Sequence, residues 1–148
     1  MAEIKALDQK GIDFLTLKEG LVLKPYLDSK GIPTIGIGMT YYPSTGKKVT
    51  MQDKPLTKEQ AQSMFRSLVA HYEIAVWSVT RDDITQNQFN ALVSFCYNIG
   101  VGGFKGSTVV KRVNTDPNDP KIADAFLMWK KPKEIIGRRK SEVALYFS

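Results

Sequence analysis

Residues 18–40 read KEGLVLKPYLDSKGIPTIGIGMT, and the fold is decided there. Lys18-Glu19-Gly20 has the form of a helix end, with the glycine as its C-terminal cap. Leu23 to Leu27 reads as a strand and Asp28-Ser29-Lys30-Gly31 as a turn whose glycine is free to take positive φ. Thr34-Ile35-Gly36-Ile37-Gly38-Met39 is the return strand. Its alternating glycines weaken a strand, which predicts a close approach to the backbone there. Glu19, Asp28 and Thr34 stand out as polar residues in places that favour apolar burial or a simple turn.

Upstream, the spacing predicts a helix over Asp8 to Glu19. Ile12, Leu15, Thr16 and Glu19 fall at i, i+3, i+4 and i+7, so Glu19 shares a face with two apolar residues. Each acid also has a plain structural reading. Glu19 could be a surface residue in a last helical turn, against the dipole, and Asp28 the side-chain acceptor of its turn.

Downstream, 41–55 is polar, with Pro43 and Gly46, and predicts a third short strand or a loop. Thr57-Lys-Glu-Gln60 is a capping box that opens a helix to about Val79, with Ala61, Met64, Phe65, Leu68 and Tyr72 on one face. A second box, Thr85-Gln-Asn-Gln88, opens a helix that carries Phe89, Leu92, Val93 and Cys96 and stops at Gly100. VGGFKG then reads as a helix–helix turn; it follows no strand and lacks the Lys-Ser/Thr ending of a phosphate loop. A short helix from Ser107, the loop NTDPNDP, a helix with Pro120 as its first residue, and a last helix from about Arg138 complete the chain. This is α+β: one domain over 1–148, with a β lobe at about 20–55, a helical lobe at about 1–19 and 56–148, and a cleft between them.

A chain of 148 residues suits one domain, and its 43% apolar and 24% charged content is that of a globular protein. No apolar run reaches the roughly 20 residues that span a bilayer. The N-terminal MAEIKALDQKG lacks the apolar segment of a signal peptide, which predicts a cytoplasmic start. Cys96 is the single cysteine and excludes an internal disulfide; His71 is the single histidine. That leaves neither a metal cluster nor a Ser/His or Cys/His pair, so no cofactor and no metal is expected. The net charge of +6 predicts attraction to a polyanion: nucleic acid, an anionic membrane or a cell-wall polymer. Zinc-finger and RNA-binding signatures are missing, which argues against nucleic acid.

Paired carboxylates are the minimum apparatus for glycoside hydrolysis. One gives a proton to the leaving oxygen while the other stays ionised. A threonine hydroxyl both donates and accepts, so Thr34 could hold a water beside the ionised acid. The pattern E-x8-D-x5-TIGIG resembles the catalytic signature of the bacteriophage lysozymes, the muramidase endolysins of glycoside hydrolase family 24, most of all the short lambdoid type. The resemblance continues through Gln86 to Leu92, Tyr97-Asn98-Ile99-Gly100, Phe104 to Thr108, Ala123 to Trp129 and Gly137 to Glu142. It implies a lysozyme-like fold and hydrolysis of the β-1,4 bond between N-acetylmuramic acid and N-acetylglucosamine in peptidoglycan, with inversion. Glu19 would be the general acid, Asp28 the base that activates water, and Thr34 the residue that positions it.

By the same resemblance Arg138 would pair with Glu19, its plain alternative being an arginine on a solvated helix start. Asn98 would touch substrate, or else cap a helix. Trp129 and Phe104 are expected to pack the core. The chain departs from the family at Met39, where many members have histidine, and in the insert Tyr41 to Lys48. A monomer is expected, with a separate pore-forming holin to reach the wall. Competing expectations are an inactive peptidoglycan-binding module and an antibacterial toxin with the same chemistry.

Overall fold

Asp8 starts the first helix. Its Oδ1 accepts the Gly11 N–H at 2.9 Å, and α1 runs over Gln9–Glu19. The structure, a computed structural model, describes residues 4–148, so the first three residues of the charged N-terminal stretch lie outside the described residues. Gly20, at φ 84°, donates its N–H to Thr16 O at 2.9 Å and closes α1 where the sequence predicts.

The hairpin follows as β1 (Val22–Leu27) and β2 (Pro33–Gly36). The strands are antiparallel, pairing Tyr26 with Thr34 and Leu27 with Pro33, and the register shifts between Val22 and Tyr26. Pro25 lies in the shifted stretch, where a residue without an N–H costs no ladder bond. The close approach predicted at the glycines is present: a Cβ on Gly36 would stand 2.5 Å from Met39 Cε. Met39 is itself core, 2% exposed.

The segment 41–55 forms no named strand. It is a loop held by a bridge between Tyr41 and Lys48 and by Tyr42 N–H to Lys47 O at 2.8 Å. Asp53 anchors it, accepting from the Tyr42 hydroxyl at 2.6 Å and from the Thr50 N–H at 2.9 Å and hydroxyl at 2.7 Å. Burial, helped by Asp53, pushes the Tyr42 hydroxyl up to about 12. The hydrogen bond from Tyr42 in turn holds Asp53 below the usual carboxylate range.

Both capping boxes are formed. Thr57 and Gln60 exchange bonds of 2.9 and 3.1 Å ahead of α2 (Lys58–Val79). Thr85 and Gln88 do the same ahead of α3 (Gln86–Ile99). Then come α4 (Val101–Lys105), α5 (Thr108–Thr115), α6 (Lys121–Leu127), a 3-10 turn at Lys133–Ile135 and α7 (Ile136–Tyr146). The glycine-rich VGGFKG, expected as a turn, contains the single helical turn α4. Gly100 at φ 94° breaks the chain from α3, and the fully buried Phe104 anchors the turn that follows.

The architecture is the expected α+β, a small N-terminal β-hairpin lobe and a larger C-terminal helical lobe. The compact units are Ile12–Ala70 and the remainder, His71–Ser148 with the chain up to Gly11. In the first, β2 lies against the start of α2, since a Cβ on Gly36 would be 3.9 Å from Ala61 Cβ, and Gln62 Nε2 donates to Asp13 Oδ1 at 3.3 Å. The early part of α2 therefore belongs with the hairpin. In the second unit α3 is buried on every side from Gln88 to Cys96. Phe95 meets Phe126 at 4.9 Å between ring centroids and Phe104 at 6.2 Å, and Phe126 meets Tyr146 at 5.9 Å. Cys96 is fully buried among these helices, and burial pushes its thiol up to about 12.

Gly11 offers a test in which two effects oppose each other. Helix propensity favours alanine over glycine by about 1 kcal/mol. A Cβ there would lie 2.6 Å from Asn90 Oδ1, and Asn90 is pinned by Asp8 at 2.8 Å and Gln86 at 2.8 Å. Overpacking costs about 1–3 kcal/mol, so Gly11→Ala is expected to lower stability in urea unfolding. A rise in the midpoint would show that Asn90 yields.

Candidate functional site

The hairpin unit carries Glu19, Asp28 and Thr34. Glu19 is the last residue of α1 and is half-buried. Asp28 does serve its turn. Its Oδ1 accepts the Lys30 N–H at 2.8 Å and the Ile32 N–H at 2.9 Å, while its own N–H reaches Ile32 O at 3.0 Å. Both turn bonds to the carboxylate fall on Oδ1, so the group is oriented with Oδ2 outside them. Thr34 is 2% exposed and donates its hydroxyl proton to Ile32 O at 2.8 Å. Ile32 thus ties the acid and the threonine together, its N–H on one and its carbonyl on the other. With its proton committed, the Thr34 hydroxyl can only accept from a further partner.

Arg138 and Asn98 lie in the helical unit. Arg138 is buried rather than on a solvated face, and α7 begins two residues earlier than the sequence suggests, at Ile136. It donates Nε to Glu142 Oε2 at 3.2 Å and Nη2 to Ser94 O at 3.0 Å. Ser94 Oγ donates to the same Glu142 oxygen at 2.5 Å. Arg139 donates Nη1 to Glu142 Oε1, Nη2 to Asn98 Oδ1, and Nε to Trp129 O at 3.1 Å. Its guanidinium also stacks 5.0 Å from the Phe95 ring.

Glu142 is fully enclosed, 0% exposed. A charge there is tolerable only because both of its oxygens face donors, two of them cationic. The sequence offers Arg139 only as the alternative to Arg138, and gives Glu142 no role of its own. Their i, i+3 and i, i+4 spacing was the available signal for ion pairs on one helix face, but it carries no information on burial.

Asn98 does not cap a helix; its oxygen is taken by Arg139. Phe104 is core, as expected. Trp129 is half-buried and meets Phe95 edge to face, with 6.0 Å between ring centroids. It lines a pocket of about 270 Å³ with Asn98, Lys131 and Arg139. Among the described residues no helix is long and apolar enough to cross a membrane, and no group of His, Cys, Asp or Glu is arranged to hold a metal ion.

Comparison with known proteins gives consistent matches. The family described as phage lysozyme matches residues 16–142. The chain is similar to the endolysin of Salmonella phage P22, 39% identical over 149 residues, covering 96% of this chain and 98% of that protein. It is 33% identical to the endolysin of Bacillus phage B103 over 96% of this chain, and spans only 54% of that protein's length. A crystal structure of a P22 lysozyme variant superposes with a TM-score of 0.87 at 38% identity, over 97% of this chain and 99% of that one.

Removing the acid from the enclosed cluster should be costly, because two arginines then lose their shared counter-charge. Breaking a buried pair from one side costs about 3–5 kcal/mol, and Glu142→Ala is expected to lose stability on that scale in denaturant unfolding. A loss below about 1 kcal/mol, the level of a surface pair, would show that water or rearrangement relieves the arginines.

Proposed function

The chain belongs to the phage lysozyme family of glycoside hydrolases, and from that membership we propose that it is a lysozyme that cleaves the β-1,4 bond between N-acetylmuramic acid and N-acetylglucosamine in peptidoglycan. Glu19 is the general acid and Asp28 the base. Thr34 holds the attacking water, and the reaction inverts the anomeric carbon.

The observation that carries this reading is the hydrogen-bond pattern around Ile32. The Thr34 hydroxyl spends its proton on Ile32 O at 2.8 Å, so towards a water it is an acceptor. The Asp28 carboxylate, oriented through Oδ1 by two N–H groups, is also an acceptor. A water between them points one proton at each, and its free lone pair is left for the sugar. As the water's oxygen bonds to the anomeric carbon, Asp28 takes one of its protons. Glu19 gives its own proton to the departing oxygen, and the glycosidic bond breaks with no covalent sugar–enzyme bond.

Asn98 enters as a substrate contact through its Nδ2, since Arg139 occupies its oxygen. Arg138 enters as a positioning residue in the Glu142 cluster. The positive surface draws the enzyme to an anionic wall. A monomer is the acting unit, and a separate holin pore gives it passage to the wall.

Two substitutions test the roles without disturbing the turn. Glu19→Gln removes the proton donor. Asp28→Asn keeps an oxygen for the Lys30 and Ile32 N–H groups but removes the base. Each is expected to lower the release of reducing ends from purified walls by about 10²–10⁴-fold with an unchanged melting curve. Near-normal turnover in either would cancel that residue's role. Stereochemistry tests the water: fresh product should appear as the α-anomer by NMR, and a β-anomer excess would instead make Asp28 a nucleophile.

A further inference from the structure

We infer that the pocket beside the 28–34 turn is a subsite for the carboxylate-bearing peptide arms of the wall polymer, read by Tyr41 and Lys48; this rests on the lysozyme reading above. The pocket has a volume of about 450 Å³, and side chains of Ile32, Pro33, Thr40, Tyr41, Lys48 and Val49 line it together with Gly46. Four of these six present mainly hydrocarbon or an aromatic ring, and one brings a positive charge.

Tyr41 and Lys48 face each other as an antiparallel bridge, so their side chains leave the same face of the loop. Both residues are exposed, Tyr41 at 45%. Ile32 is likewise 43% exposed, and an apolar wall left open to water gains from being covered. The loop behind them is fixed by Val49 N–H to Thr40 O at 2.9 Å and by Tyr42 on Asp53 at 2.6 Å. A ligand therefore meets a formed surface, and little ordering cost is charged against its binding.

Position ties this pocket to the candidate chemistry. Its wall residue Ile32 is the one whose N–H holds Asp28 and whose carbonyl receives the Thr34 proton. A sugar placed for attack at Asp28 and Thr34 brings its own substituents towards Ile32 and Pro33. The chemistry of the lining then selects among substituents. A bare sugar ring seeks hydroxyl acceptors and donors, and Lys48 would add little to it. A short peptide offers methyl groups to Ile32, Pro33 and Val49, and a carboxylate to the Lys48 ammonium.

The test compares peptide-bearing sacculi with glycan chains stripped of peptide by an amidase, scoring kcat/KM from reducing ends. The unsubstituted chain is expected to prefer the peptide-bearing substrate. Lys48→Gln should lower that preference about fivefold, the scale of a partly exposed ion pair, and Lys48→Glu should lower it further. Lys48→Arg should restore it. An unchanged ratio in Lys48→Gln and Lys48→Glu, with both substrates slowed alike or neither slowed, would overturn the inference. If the unsubstituted chain cleaved neither substrate, the lysozyme reading would fall and this subsite with it. Cleavage of both without preference would leave the lysozyme reading standing and remove only the subsite.

Discussion

The carboxylate of Glu142 is the interaction on which the helical unit depends. It receives Arg138 and Ser94 on one oxygen and Arg139 on the other. The two arginines carry those bonds on to Ser94 O, Asn98 and Trp129 O. The group thus joins α3, α7 and the chain after α6 through directional contacts. Hydrocarbon of the same volume could be equally stabilising, because enclosing charges forfeits their hydration. What the ionic group adds is register. A slide of α7 along α3 by one residue would strand a charge, whereas an apolar interface would tolerate it.

The hairpin unit uses polar atoms differently. Asp28 was open to two readings, turn acceptor or working carboxylate, and the structure gives it the first without excluding the second. One oxygen completes the turn, and that duty orients the other. Thr34 follows the same logic, its proton satisfying a carbonyl while its lone pairs stay available. Groups held by backbone in this way need little reorganisation when a substrate arrives, which is the property that electrostatic preorganisation requires.

Local rules made much of this legible. Both capping boxes, the glycine stop at Gly20 and the turn at Asp28 depend on neighbours within a few residues, and the sequence displays them directly. Cys96 was readable as core from its apolar neighbours, and Phe104 from the usual burial of large aromatics. For Arg138 a solvated helix start was the plain alternative, because Arg and Glu are seldom enclosed; the partners brought in by α3 make its burial possible. The insert at 41–55 was ambiguous for a similar reason. Its form comes from Asp53 gathering Tyr42 and Thr50, a contact among side chains that no strand or turn propensity records. The grouping of residues 12–19 and 56–70 with the hairpin also depends on packing, through Gly36 and Gln62.

The placement of Cys96 has a consequence for the chain's covalent chemistry. Thiol exchange, sulfenic acid formation and adduct formation all begin from an accessible thiolate. Here the sulfur is enclosed by α3 and its neighbours, and its proton is held until about 12. The same folded chain can therefore face a reducing or an oxidising medium without a change of bonds, and without the mixed disulfides that an exposed lone cysteine invites. Its durability rests on packing and on buried polar contacts such as those of Glu142, with no disulfide within these 148 residues.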